Sequence, residues 1–130
     1  MESHDIKISH GAASDSLTLP SEIHLENMRQ LTFGGDNAEA YWSFDSQKLV
    51  FQANNPQWGT GCDQIYWMQL DQDRSPSSTP PSQISSGLGR TTCAYFMPGD
   101  TSVVFASTHL ADSLCPEVPP RGPNGEYVWP

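Results

Sequence analysis

Cys62, Cys93, Cys115 and His109 are the residues whose types most readily do chemistry. Thiolate and neutral imidazole are the donors that tetrahedral zinc takes, and two cysteines brought close enough in the right geometry form a disulfide. Three explanations compete: separate thiols, a disulfide with Cys93–Cys115 or Cys62–Cys93 as the pairs, and a Cys/His zinc site. The spacings match no short zinc signature, and an odd count without a C-x-x-C pair fixes no compartment. Other chemistry finds no framework. There is no G-x-S-x-G elbow, no H-E-x-x-H, no phosphate loop and no N-x-S/T sequon. Asp71-Gln72-Asp73 begins like a calcium loop but lacks the glycine and closing glutamate that such a loop needs. Gly87-Leu88-Gly89 has no helix behind it to make a phosphate cradle. The chain is therefore expected to carry no catalysis and to need no cofactor, with zinc at the Cys/His cluster as the exception to test.

The elements that must position these residues follow from composition and patterning. The 130 residues suffice for one modest core. An apolar fraction of 36%, with 11 prolines and 10 glycines, favours short elements and many turns over long helices. A formal charge of −9, with only 6 Lys and Arg, argues against binding nucleic acid or an anionic membrane surface. No run approaches the ~18 apolar residues of a membrane-spanning helix, and Met1-Glu2-Ser3-His4-Asp5 does not open like a signal peptide.

Residues 1–20 are polar and without apolar period, and read as a flexible leader. Partial alternation at Ile23, Leu25, Leu31 and Phe33 predicts a short strand ending at Gly34-Gly35, with a helical turn over 21–27 as the competitor. Strands at 38–43 and 48–53 form a hairpin around Asp45-Ser46. Gln64–Leu70 is apolar on both alternating faces, so it needs cover above and below. Residues 75–82 form a low-complexity Ser/Pro loop.

The pattern then restarts. Gln83-Ile84-Ser85 echoes Gln30-Leu31-Thr32, and Ala94–Phe105 repeats Ala40–Phe51, matching Tyr41 with Tyr95, Trp42 with Phe96, Val50 with Val104 and Phe51 with Phe105. The unit is a short strand, a loop, a hairpin, a loop and a strand, recurring about every 53 residues. Four-stranded units of this kind, packed face to face, are the blades of β-propellers, which close with roughly 4–8 of them. The expected fold is all-β: a partial propeller of about one and a half four-stranded blades. The first repeat covers about 28–74, and the second, incomplete, covers 83–130. A strand starting at Tyr127-Val128-Trp129-Pro130 is a further expectation.

Gln30-Leu31-Thr32, Ser43-Phe44-Asp45-Ser46-Gln47-Lys48-Leu49-Val50-Phe51 and Asp63-Gln64-Ile65-Tyr66-Trp67-Met68 together resemble the TolB-like propeller repeat, also called the WD40-like repeat. That pattern runs Leu-Thr, Ser-Pro-Asp-Gly-Lys-Lys-Ile-Ala-Phe, then Asp-Ile-Tyr-x-Met. Phe44 and Ser46 replace its proline and glycine in the first copy, while Pro98 keeps the proline and Gly99-Asp100 reverses the Asp-Gly in the second. The resemblance covers about Met28–Thr108. It implies a non-catalytic scaffold or protein-interaction module of the bacterial periplasm or envelope. The alternatives are the propeller part of a larger prolyl-oligopeptidase-type peptidase and a ligand- or carbohydrate-binding module.

In such a blade the loop entering the first strand and the loop joining the second to the third leave at one end of the sheet. Cys93 is assigned to the entering loop of the second copy, and Cys62 and Cys115 to equivalent loops, with His109 beside Cys115. The same end gathers Asp36, Asn37, Glu39, Asp63, Arg90 and Thr91 as a binding rim for a protein partner. Trp58 and Trp129 are aromatic anchors or pack under their own loops. Unpaired strand edges predict self-association.

Overall fold

In the computed structural model the described residues are 17, 19–71, 80–126 and 128, and none of them lies in an α-helix. Four strands form one antiparallel sheet in the order β1-β2-β3-β4: β1 (Asp36–Trp42), β2 (Lys48–Asn54), β3 (Gln64–Gln69) and β4 (Ser82–Gln83). Strands β5 (Thr91–Phe96) and β6 (Val103–Ser107) form a separate two-stranded sheet. The all-β class and both hairpins are as the alternation predicts.

The period-two pattern of β2 and β3 explains how the sheets stack. Leu49, Phe51, Tyr66, Met68 and Leu70 share one face, covered by Leu31 and Trp58. Val50 and Ile65 share the other, where they meet Ala94 and Phe96 of β5, with Tyr41, Trp67, Val103 and Phe105 around them. A strand apolar on both sides thus receives cover on both sides.

The repeat extends to details of the backbone. Each hairpin carries a bulge at the same place, between Ala38 and Tyr41 in β1 and between Thr92 and Tyr95 in β5. At each bulge a non-glycine residue is left-handed, Glu39 at φ 52° and Cys93 at φ 53°, a conformation costing about 1–2 kcal/mol. Ser46 and Asp100, one repeat apart in the two turns, have φ 58° and 54°. Gly35 and Gly89 form another such pair at φ 64° and 63°. A Cβ at Gly35 would run into the Asn54 carbonyl and Asn55, and one at Gly89 would lie 2.7 Å from the His109 amide nitrogen.

Both ends of the stack are fastened. At the turn end, the Phe44 and Asp45 amides each donate to the Asp100 carboxylate at 2.8 Å. At the other end, the Thr91 amide donates to the Asp63 carbonyl at 3.0 Å, and buried Gln64 bridges Ser85 Oγ and the Gly89 carbonyl.

The first turn also contains a pH-sensitive contact. Ser43 Oγ donates to Asp45 Oδ1 at 2.6 Å, and the Gln47 amide donates to the same oxygen at 3.0 Å. The Ser43 hydroxyl first, then the Gln47 amide, hold the Asp45 carboxyl below its ordinary value of 3.8. A depressed folded-state pKa contributes stability that is present above 3.8 and lost as pH falls through the lower folded value. Thermal melts are expected to show a smaller acid-induced loss in Asp45→Asn than in wild type. Equal acid slopes in both would overturn this assignment.

Three expectations require correction. Residues 20–24 form two short turns, with the Glu22 amide donating to the Leu19 carbonyl and the Leu25 amide to the Glu22 carbonyl, and residues 28–33 run irregularly rather than as a strand. Leu31 lies over the face of the first sheet instead of along its edge, and the Asn55 side-chain Nδ2 donates to the Phe33 and Gly34 carbonyls. Second, Ser82–Gln83 does not open the second unit: it is β4, paired with Tyr66 and Trp67 as the outer strand of the first sheet. Third, Cys93 is not in an entering loop but inside β5. Most of the expected leader, most of the 75–82 loop, the Gln72-Asp73 pair, Trp129 and all but Val128 of the strand start at 127–130 lie outside the described residues.

Candidate functional site

The β2–β3 loop, the start of β5 and the segment after β6 meet at one end of the two sheets, because the antiparallel register places Ala53 beside Gln64 and Thr91 beside Ser107. Four of the expected rim and cysteine positions are joined here. Asp63 and Arg90 form an ion pair, Oδ2 to Nε 3.2 Å, although the Arg90 N–H is not aligned for a hydrogen bond. Thr91 Oγ1 donates to the Asp63 carbonyl at 3.1 Å, and Arg90 Nη2 lies 3.7 Å from Cys115 Sγ. Thr108 and Ser113 tie the following segment down through Arg90 N to Thr108 Oγ1, 2.9 Å, and Gly89 N to the Ser113 carbonyl, 2.8 Å.

Cys62 and Cys115 are joined by a disulfide with a Cα–Cα distance of 5.8 Å. This corrects the two expected pairs, both of which used Cys93. Cys62 and Cys115 are equivalent across the repeat, 53 residues apart, and stacking two similar sheets brings equivalent positions together. Tyr41 and Tyr95 obey the same rule, with ring centroids 4.3 Å apart. Cys93 remains an exposed free thiol. A disulfide also consumes two of the thiolates a zinc ion would need, and no cluster of three His, Cys, Asp or Glu able to hold a metal occurs among the described residues.

Asp36 and Asn37 begin β1 at the same end, paired with Asn54 and Ala53, and Asn37 Nδ2 donates to the Gly34 carbonyl at 3.1 Å. Glu39 sits farther in, on the β1 bulge, accepting from the Tyr41 hydroxyl at 2.9 Å. That hydrogen bond first, then the Glu39 charge, raise the Tyr41 pKa above 10.0. His109 does not join the cysteines. Its Nδ1 lies 2.7 Å from Ser107 Oγ, which also accepts the His109 amide at 3.3 Å. This is a nucleophile–base contact in distance only. It closes a local turn, and among the described residues no carboxylate bonds the ring to orient it. Trp58 packs under its own loop against Phe51 and Tyr66, at 6.3 and 4.9 Å.

A second feature was not legible as a site. An open groove of about 370 Å³ runs between β3 and β6, walled by Trp67, Ile84, Phe96 and Phe105, with Lys48 and Asp100 among its polar residues. Its walls come from four separate segments, so no local motif announces it. No protein-family model, curated protein or solved structure matches the chain.

Proposed function

We propose that the chain is a propeller-type scaffold of the TolB-like kind, about one and a half blades of it, serving as a protein-interaction module without chemistry of its own. The observation carrying this reading is the stacking of repeat-equivalent positions: Tyr41 on Tyr95, Cys62 bonded to Cys115, and matching bulges and left-handed turn residues in the two hairpins. Successive blades of a propeller stack in this way. The disulfide favours an oxidising compartment such as the periplasm or cell envelope. The partner is a protein that contacts the end bearing Asp36, Asn37, Asp63, Arg90 and Thr91, with Glu39 at its margin.

Affinity capture with wild type and with Glu39→Lys/Arg90→Glu tests the rim. A bound protein should be depleted about tenfold or more by the charge reversals, equivalent to ~1.4 kcal/mol. Equal recovery from both would reject this surface as the contact. The aromatic groove supports a second reading, a small ligand or carbohydrate with an apolar face and a polar edge. A glycan thermal-shift screen should then give a stabilisation that Trp67→Ala removes, and no shift with any glycan would dismiss it.

A further inference from the structure

The outer edge of β2 is paired with β3, but the equivalent edge of β6 has no strand beside it among the described residues. Met97 N donates to the Ser102 carbonyl and Thr108 N to the Arg90 carbonyl, so even-numbered residues of β6 bond toward β5. Alternation then turns the N–H and C=O groups of Val103, Phe105 and Ser107 outward. Their counterparts one repeat earlier, Leu49 and Phe51, pair with Met68 and Tyr66 of β3. Val103–Ser107 also lacks the features that blunt an edge: it contains no charge and no proline, and the bulge of this hairpin lies on β5. By contrast, β1 carries a bulge and two carboxylates, and β4 is only two residues long. The open groove of about 370 Å³ lies beside this edge, with Trp67 and Ile84 in its wall. Cross-strand neighbours share a face. Residues set opposite Val103 and Phe105 would therefore point into that groove, toward the first sheet.

We propose that β6 is the docking edge for an extended segment of another protein, which adds antiparallel to it as β3 adds to β2. The segment needs apolar residues at i and i+2, on the pattern of Tyr66 and Met68, which are buried in the first sheet. The chain's own continuation does not supply them. The repeat spacing of 53 carries Gln64–Gln69 onto Glu117–Gly122, which forms no strand and contains Pro119 and Pro120, residues without an N–H for a ladder. Nor does a second copy fit through its β6. Its first sheet packs on the face bearing Val103 and Phe105, and would enter the space that Trp67 and Ile84 already fill. A single strand brings no such bulk. The charge of −9 favours a segment flanked by Lys or Arg. Neither the rim nor a glycan in the groove enters this pairing.

Calorimetric titration of the intact chain with a lysine-flanked synthetic peptide of the sequence Gln64–Leu70 tests it. Saturable binding with a Kd of roughly 10–100 μM is expected, since ordering a short peptide offsets much of the contact energy. The Leu70 amide donates to the Gln47 carbonyl, so the even-numbered amides of β3 face β2. N-methylation of the peptide at Tyr66 or Met68 should therefore weaken binding at least about tenfold, and at Ile65 or Trp67 by no more than about twofold. Glycan or rim binding would show no such contrast. Val103→Pro, which removes one outward N–H, and Ile84→Arg, which fills the groove, should each weaken binding about tenfold or more. Circular dichroism melts confirm that both fold, and Ile84→Arg decides if Val103→Pro does not. No saturation at millimolar peptide, equal affinity of the four methylated peptides, or unchanged binding by Ile84→Arg overturns the proposal. So does sedimentation showing that the chain alone associates and that Ile84→Arg abolishes this, because the occupant would then be a second copy.

Discussion

Reduction of the Cys62–Cys115 disulfide is expected to remove about 4 kcal/mol of stability, the loop-closure value for a 53-residue separation. Domains of this size have roughly 5–15 kcal/mol in total, so the reduced chain retains only a fraction of its stability. At a few degrees per kcal/mol, the melting temperature should fall by roughly 10 °C or more. The bond matters beyond its entropy because of what it ties. Cys62 opens the short approach to β3, and Cys115 ends the segment that folds over the sheet ends after β6. Without the bond, the Thr108–Arg90 and Gly89–Ser113 hydrogen bonds and the long Arg90–Cys115 contact are what hold that segment to the start of β5. Thermal melts with and without a phosphine reductant, together with Cys62→Ser, should agree. Cys93→Ser is the control and should change stability by no more than ~0.5 kcal/mol, because Cys93 is exposed and unpaired by any disulfide. A reductant-insensitive melt would overturn the assignment of this bond as structural.

Ile65→Ala is expected to cost about 3–4 kcal/mol. Ile65 is fully buried and lies where the first sheet meets β5, so truncation removes apolar contacts and leaves a cavity that strands fastened at both ends cannot close. Urea unfolding should show the lower midpoint, and limited proteolysis should report earlier cleavage in the β5–β6 turn. Leu110→Ala provides the contrast, since Leu110 is almost wholly exposed and should be within ~0.5 kcal/mol of wild type. Equal effects from the two truncations would mean that the sheets do not share a core.

Much of this arrangement could be read from the residues. Alternation in Gln64–Leu70 assigned Ile65 to one face and Tyr66, Met68 and Leu70 to the other, because side-chain direction in a strand is fixed by parity, and the register with β2 then adds Val50 to the first face and Phe51 to the second. The paired hairpins were equally plain, since each level of pattern agreed with the next. The cysteine pairing was not, although its clue was present in the equivalence of Cys62 and Cys115. Cys93 was assigned to a loop because a bulge has no strong sequence signature when its left-handed position holds cysteine instead of glycine. The segment carrying Leu31 looked like a strand because apolar alternation does not distinguish pairing along an edge from lying across a face. The rim residues other than Glu39 share an end of the fold, but contacts such as Thr108 with Arg90, and Ser107 with His109 of the expected Cys/His cluster, depend on how the segment after β6 folds back. Nothing in the local sequence specifies that path.

The Cys62–Cys115 bond also divides the chain mechanically. Under a stretching force applied outside the bond, the 53-residue separation between those cysteines cannot extend, withholding roughly 180 Å of contour. Load passes through the sulfurs and falls on β1 and β2, which lie outside the covalent loop. These strands would peel from β3 and β5 while β3 to β6 stay enclosed. The bond is thus a force bypass that assigns all early yielding to the first hairpin.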